Sequence, residues 1–315
     1  TIDELFEMGY KAIFVGSGAG LPMFMNIPGE ALKGVMSANE YLTRTNLMKA
    51  YDENYDTPIV KSKAVAVVGG GNVAMDAARS AVRCGAKEVH VIYRRRQEDM
   101  TALASEIEAA VAEGIELHLL QAPLRVEVNE NNQCTAVWVK PQMTGPYKEG
   151  RPTPLDNPSK PEMRVACDVV LNAVGQDVVS KPFEEAGIPA KRNIFIAGRD
   201  THVENMPGVF VGGDCATGPA TAIRAIAGGK VAAYAIDEYL GYHHTLQCDL
   251  GEPTLLHNNR VPTGRVNIQE RSSHERKQDF EHVEYPITVE EAVQECRRCL
   301  RCDKFGCGVL EGAAE

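Results

Sequence analysis

VAVVGGGNVAMDAARSAVRCGAKEVHVIYRRR, residues 65–96, is the stretch whose reading decides the fold. An apolar run ends in Gly69-x-Gly71-x-x-Ala74, and an alanine-rich helical stretch runs on from Asn72 to Arg83. In such a strand–turn–helix the first glycine permits the sharp turn and the second lets a pyrophosphate approach the backbone. The small third residue lets helix and strand pack closely. The amides of Asn72 and Val73, at the helix N-terminus, then face the phosphates. The bland alternative is a glycine turn in an unliganded sheet. A second strand, EVHVIY, ends at Tyr93, about 22 residues beyond Gly71, and favours the dinucleotide reading. The segment after that strand selects the cofactor, because an acidic residue there binds a free ribose 2′-OH whereas arginines accept a 2′-phosphate. Here the segment is Arg94-Arg95-Arg96, so NADP(H) is expected, with Arg94 and Arg95 as its anchors. Glu98 or Asp99 would serve an NAD-dependent variant.

Outward from this core, residues 106–113 read as a helix and 115–120 as a strand, giving a β-α-β-α-β order and hence a parallel sheet with right-handed crossovers. A further apolar strand, CDVVLNA at 167–173, leads into Val174-Gly175-Gln176, and residues 10–20, YKAIFVGSGAG, end in a similar glycine turn at Gly18. Val209–Val211 enters a third turn, Gly212-Gly213-Asp214, with a helix from Thr221 to Leu240 after it. A carboxylate at Asp214 can hydrogen-bond a sugar-alcohol hydroxyl, and the helix N-terminus can face a phosphate. Residues 140–163 hold six prolines and read as a loop or hairpin. From 241 to 284 the sequence turns polar and reads as an extended arm, before a final helix whose Thr288 and Glu291 form a capping box.

Composition bounds the function. At about 100 to 200 residues per domain, 315 residues make two domains, and 44% hydrophobic residues suffice for real cores. The net charge of −10 excludes a global positive field for nucleic acid or anionic membrane. No window approaches about 18 consecutive apolar residues, and the opening residues lack the basic and apolar regions of a secretory signal, so a cytoplasmic protein is expected. Of nine cysteines, five are scattered singly, and Cys296, Cys299, Cys302 and Cys307 crowd into twelve residues. Their x2, x2, x4 spacing supplies three thiolates from one turn and a fourth close by, as one 4Fe-4S cluster requires. Four-thiolate zinc is the alternative, although its ligands usually come as two separated C-x2-C pairs. The adjacent His243 and His244 diverge and read as a loop pair.

The 65–96 stretch, the turn AVGQ at 173–176 and GVFVGGDCATGPATAIRAIAGGKVAAYAID at 208–237 closely resemble the small-subunit family of NADPH-dependent glutamate synthase. GYKAIFVGSGAG at 9–20, IPGE at 27–30 and SANEYLTR at 37–44 resemble it too. Relatives include the flavoprotein subunit of ferredoxin:NADP transhydrogenases. The resemblance covers about residues 1–240 and implies an α/β fold of nested, three-layer Rossmann-like domains, with the NADPH domain inserted in the FAD domain. It implies residues 1–58 as one piece of a partial FAD domain, 59–176 as the NADP(H) domain and 177–242 as the remaining FAD piece. Residues 243–315 are the arm and iron–sulfur tail. Gly69, Gly71, Asn72, Val73, Arg94 and Arg95 would hold NADPH; Gly213, Asp214 and Thr221 would hold FAD; the turns at Gly18 and Gly175 would line both. The family's own first GxGxxG lies before any residue here, so half of the FAD cradle is expected from a preceding segment or another chain. Thr101 stands where the family usually has a proline.

The function so implied is hydride transfer between NADP(H) and FAD, with single electrons passed to iron–sulfur clusters in a larger electron-transfer complex, ferredoxin being a candidate partner. Because the chemistry is the cofactors', no catalytic side chain is singled out. A different class of reading is a non-catalytic assembly subunit with a vestigial flavin site that docks partners. A thioredoxin-reductase-like activity would need a C-x-x-C beside the flavin, and none occurs before residue 296.

Overall fold

The structure, a computed structural model, describes residues 1–148, 150–244 and 263–298. The chain divides into two units, Thr1–Leu246 and Gln247–Glu315. The first unit runs α1 (Ile2–Glu7), β1 (Ile13–Val15), β2 (Leu21–Pro22), β3 (Val35–Ser37), α2 (Ala38–Leu42), β4 (Ala64–Val68), α3 (Asn72–Arg83), β5 (Glu88–Tyr93), α4 (Ala104–Ala112) and β6 (Glu116–Leu119). It goes on through β7 (Gln121–Val128), β8 (Cys134–Lys148), β9 (Arg151–Asp156), β10 (Met163–Ala166), β11 (Val169–Asn172), β12 (Gln176–Asp177), α5 (Lys181–Glu185), β13 (Ala190–Lys191), β14 (Ile194–Phe195), β15 (Val209–Val211), α6 (Asp214–Thr217) and α7 (Ala222–Leu240).

A five-stranded sheet of order β3-β11-β4-β5-β6, with every pairing parallel, is the centre of the unit. The run AVAVV is apolar throughout because both faces of its strand are covered. Val65 and Val67 point to one face, where they meet the buried Ala74, Ala77, Ala78 and Ala81 of α3 and Ile107 and Ala110 of α4. Ala66 and Val68 point to the other face, onto Val126, Val137, Val139 and Val165 of an antiparallel sheet. The spacing i, i+3, i+4, i+7 puts the four alanines on one stripe, and their small side chains let α3 lie close to the strands. Three layers result, with helices on one side and a second sheet on the other.

That second sheet, β10-β8-β7 with β9 also pairing β8, takes up residues read from the sequence as connection. The proline-rich 140–163 stretch forms the β8–β9 hairpin, with a register shift between Thr144 and Tyr147 at Pro146. Prolines survive there because β9 is an edge strand and because a bulge frees the missing N–H from ladder duty.

A smaller layer comprises the two-stranded parallel sheet β1-β15, packed with Ile188 and with Phe195 of β14 through Ile13, Val15, Val209 and Val211, and α7, whose Tyr239 ring meets Phe210 of β15. It joins the central sheet through two segments that pair antiparallel, Leu21 opposite Asp177 and Pro22 opposite Gln176. The chain thus leaves the small layer along β2 and returns along β12, so one module is nested in the other. The expected 1–58 piece is divided by this crossing: β3 pairs β11, and Ala38 and Tyr41 of α2 pack in the core of the central sheet.

In the second unit, α8 (Ser273–Arg276) and α9 (Val289–Arg298) carry the described structure. The expected capping box is present: Glu291 N–H donates to Thr288 Oγ1 at 3.2 Å, and Thr288 N–H donates to Glu291 Oε2 at 2.7 Å. Within the described part of the polar stretch, charged residues pair with one another, and residues 245–262 of the expected arm lie outside the described residues. Arg271 grips Asp279 with two bonds of 2.7 Å, and buried Arg276 bonds Glu270. No described helix is long and apolar enough to cross a membrane.

Candidate dinucleotide site

In an open parallel sheet ligands gather outside the carboxyl ends of the strands where strand order reverses. Here β4 is that point, with β5 and β6 to one side and β11 and β3 to the other. Gly69 comes directly after β4 at φ +151°, its N–H donating to Ile92 O at 3.0 Å. A Cβ there would lie 2.4 Å from Ala173 O on the neighbouring strand, so β11 closes against the turn only because residue 69 lacks a side chain. Gly71, the N-cap of α3, has φ −100° and ψ 175°, and a Cβ on it would meet only Thr101 Oγ1 at 3.3 Å. The two glycines serve different ends: the first permits strand packing, and the second leaves an open approach.

Beyond Gly71, Asn72 and Val73 are exposed, and among the described residues their amides meet no acceptor, as a phosphate cradle requires. Asn72 Oδ1 instead accepts from Leu103 N–H at 2.9 Å, drawing residues 100–103 over the turn. Thr101 N–H and Ala102 N–H both donate to Gly70 O, at 2.9 and 3.0 Å. The Thr101 bond is one a proline could not make, which gives this departure from the family pattern a physical role.

The three arginines after β5 have distinct surroundings. Arg96 binds Asp99 through Nε at 2.9 Å, Glu98 at 2.7 Å and Tyr147 Oη at 3.1 Å. Those contacts, the Asp99 bond foremost, push its basicity up and hold Asp99 below the usual carboxylate range. Arg95 donates from Nε to Pro152 O at 2.8 Å. Arg94 is exposed and has no partner among the described residues. Beside Arg94 and Arg95 the β8–β9 hairpin forms a shallow depression with Thr144, Thr153 and Leu120. Glu98 and Asp99 are thus engaged with Arg96, and Arg94 is the free cation of the run.

The other turn is built on the same logic. Gly213 has φ +77°, and α7 comes so close that a Cβ on Gly228 would lie 3.3 Å from Gly213 N. Asp214 Oδ1 accepts from Ala220 N–H at 3.2 Å, which shapes the loop leading to exposed Thr221 at the N-cap of α7. Gly18, at φ +69°, faces open space, and Gly175 lies beside Met23, whose N–H donates to Gly175 O at 3.0 Å. Gly18 and Gly175 therefore flank the β2–β12 crossing.

Two residues at this crossing are not evident from the sequence motifs. Asn172, buried at the end of an apolar strand, donates from Nδ2 to Met23 O at 2.7 Å and Glu30 Oε1 at 3.3 Å. Glu30, from IPGE, accepts the Met25 and Asn26 amides at 2.6 and 2.8 Å. A buried amide in a run of valines was the available signal. Of the tail cysteines, Cys296 is exposed on α9, and Cys299, Cys302 and Cys307 lie outside the described residues.

Residues 2–229 match the pyridine nucleotide-disulphide oxidoreductase family. The whole chain is 34% identical, over 330 residues, to NADP(+)-dependent formate dehydrogenase subunit beta of Moorella thermoacetica, of which it covers 45%. It is 31% identical to NADPH-Fe(3+) oxidoreductase subunit beta of Geobacter sulfurreducens, matching 96% of this chain and 49% of that protein. With the small chain of NADPH glutamate synthase of Escherichia coli it shares 33% identity over 76% of this chain and 52% of the relative. The chain spans about half the length of these relatives. FprA of Mycobacterium tuberculosis in complex with NADPH superposes with a TM-score of 0.58 at 18% identity, over 77% of this chain and 65% of that one. Lactococcus lactis thioredoxin reductase gives 0.56 at 19% identity, over 74% and 67%. These structures bear out the expected two-domain α/β dinucleotide-binding fold.

Proposed function

Since the chain belongs to the pyridine nucleotide-disulphide oxidoreductase family, we propose that it is the nicotinamide-handling part of an oxidoreductase subunit that works between NADP(H), FAD and iron–sulfur clusters in a larger complex. The observation that carries this reading is the pairing, on one sheet edge, of two unpartnered α3 amides with the free guanidinium of Arg94. Gly71 admits the pyrophosphate, Asn72 and Val73 receive it, and Arg94 with Arg95 takes the 2′-phosphate. On the flavin side Gly213, Asp214 and Thr221 form the cradle, while Gly18 and Gly175 border both cofactors. When bound, the nicotinamide and flavin supply hydride exchange. The chain's part is to fix the two turns relative to each other, which it does through the β2–β12 ladder and the Asn172 bond to Met23 O.

The parallel sheet of the small layer consists of β1 and β15, and α7 exposes Ile223, Ile226 and Val231. We assign that apolar face to the rest of the flavin-binding unit. Names of the relatives support membership of a multisubunit complex; ferredoxin is a candidate partner on the sequence resemblance alone. Cys296, Cys299, Cys302 and Cys307 are assigned to a 4Fe-4S cluster from their spacing. Free thiols at Cys84, Cys134, Cys167 and Cys215 favour a reducing, cytoplasmic setting.

Arg94→Ala is expected to weaken NADPH ten- to a hundredfold, the worth of about 1.5–3 kcal/mol for a charge-assisted bond, and to leave NADH nearly unchanged. Equal losses in parallel titrations would remove the 2′-phosphate assignment. Anaerobic iron and flavin quantitation on the native assembly tests the rest. Flavin that bleaches on adding NADPH, with a loss of about four irons in Cys299→Ser, supports the proposal. Iron without flavin would favour an assembly subunit with a vestigial flavin site.

A further inference from the structure

We propose that His90, Glu116 and His118 form a binding site for one divalent cation of the zinc class, separate from the nucleotide turns and from the cysteine tail. The site arises from register. In the parallel pair β5–β6, His90 lies opposite Glu116 and Ile92 opposite His118, and residues two apart on a strand share a face. Two imidazoles and a carboxylate therefore meet where the edge strand β6 borders the layer beneath.

Their ligand atoms gather within 4.8 Å of one another. His90 Nδ1 lies 3.0 Å from His118 Nε2 and 3.3 Å from Glu116 Oε2, and His118 Nε2 lies 3.5 Å from Glu116 Oε1. A tetrahedral ion with bonds of about 2.0–2.2 Å holds its ligand atoms about 3.4 Å apart; each ring nitrogen stands near that distance from the other and from one oxygen of the carboxylate, and one ligand atom from each of the three residues lies within 4.8 Å of the others. A single proton can join the two rings in one N–H···N bond of 3.0 Å, but that bond gives the Glu116 carboxylate no donor from either facing nitrogen. A cation accepts all three lone pairs at once.

The surroundings suit a ligand set. The side chains of His90 and His118 are 13% and 17% exposed, and that of Glu116 is 64% exposed, so an ion would sit at a rim with room for water in its remaining position. Glu88 Oε2 lies 4.0 Å from His90 Nε2, which places a further carboxylate near the far nitrogen but beyond hydrogen-bond distance. Two nitrogens and one oxygen select Zn2+, Co2+ or Ni2+ over Mg2+ or Ca2+, which take oxygen sets. A bound ion would clamp the edge strand β6 to β5. By contrast His243 and His244 turn to separate carboxylates, Glu238 at 2.8 Å and Asp237 at 2.5 Å.

The test is anaerobic titration of the full chain with Co2+, read by its visible ligand-field bands, in the wild type, Cys296→Ser, His118→Gln and His90→Gln/His118→Gln. One Co2+ without thiolate charge-transfer bands is expected in the wild type, retained in Cys296→Ser and weakened at least a hundredfold in either histidine variant. Glu116→Gln, at an exposed position that leaves folding alone, should weaken it too. A wild type that binds Co2+ only with thiolate bands, or a double histidine variant that binds like the wild type, would overturn the site.

Discussion

Gly69→Ala is expected to unfold the turn after β4 and with it to abolish NADPH binding, whereas Gly71→Ala should keep the fold and lose only affinity. The added methyl at 69 would sit 2.4 Å from Ala173 O, in a backbone held at φ +151°. Neither side can retreat: Ala173 N–H is bonded to Val68 O at 2.8 Å and Gly69 N–H to Ile92 O at 3.0 Å. Positive-φ strain and overpacking together cost about 3 kcal/mol or more. At Gly71 the backbone is extended and the nearest atom is a hydroxyl that can rotate, so the stability change should stay within about 1 kcal/mol. The Cβ would still stand in the approach left for a pyrophosphate. Thermal melts paired with NADPH titrations separate the two effects. A Gly69→Ala protein that melts like the wild type would show that β11 does not close on the turn as described.

Glu113→Ala should cost about 3–5 kcal/mol and lower the melting temperature by about 10 °C. Glu113 stands just past α4, its side chain is fully buried, and it accepts from Arg79 at 2.8 Å and Arg83 at 2.7 Å, both on α3. Arg79 also reaches Glu106 at 2.6 Å. Removing the carboxylate leaves two largely buried guanidinium groups with one ion-pair partner between them, the partly exposed Glu106, and with Arg83 held only to the Arg79 carbonyl. Burial alone would raise the carboxyl of Glu113; the bonds from Arg83 and Arg79 outweigh it and hold the group below the ordinary glutamate value. Its contribution is therefore fully present above the unfolded value of about 4.3 and is lost as pH falls through the lower folded value. Acid melts should show this: the wild type and Glu113→Gln differ most at neutral pH and converge in acid. A constant difference at all pH values would place the stabilisation in packing instead of charge.

How far a feature can be read from the sequence depends on the range of the interactions behind it. The 64–93 strand–helix–strand was legible because β4, α3 and β5 are consecutive and each carries its period in its own residues. The second sheet was hidden because Pro141, Pro146, Pro152 and Pro154 look like breakers until the edge position of β9 and the bulge before Tyr147 are known. β3 was hidden for a different reason: three residues pair with a strand some 135 positions away, and no local pattern records that. Arg94, Arg95 and Arg96 are equivalent as letters. Only the fold brings Tyr147 to Arg96 and the Pro152 carbonyl to Arg95, and so leaves Arg94 free. The histidines of β5 and β6 became neighbours through strand register, with 28 positions between them in the chain.

The antiparallel crossing of β2 and β12 has a genetic consequence. Neighbouring strands lie about 5 Å apart, so the chain departs for the central sheet and comes back almost at the same spot. Residues between Pro22 and Gln176 therefore behave as a cassette: a recombination event that exchanges them wholesale needs no rerouting of the host, because β1 and β15 keep their register of Ile13 with Val209. A cofactor preference written in Arg94 and the hairpin beside it could be replaced in one such step, together with the whole surface that reads it.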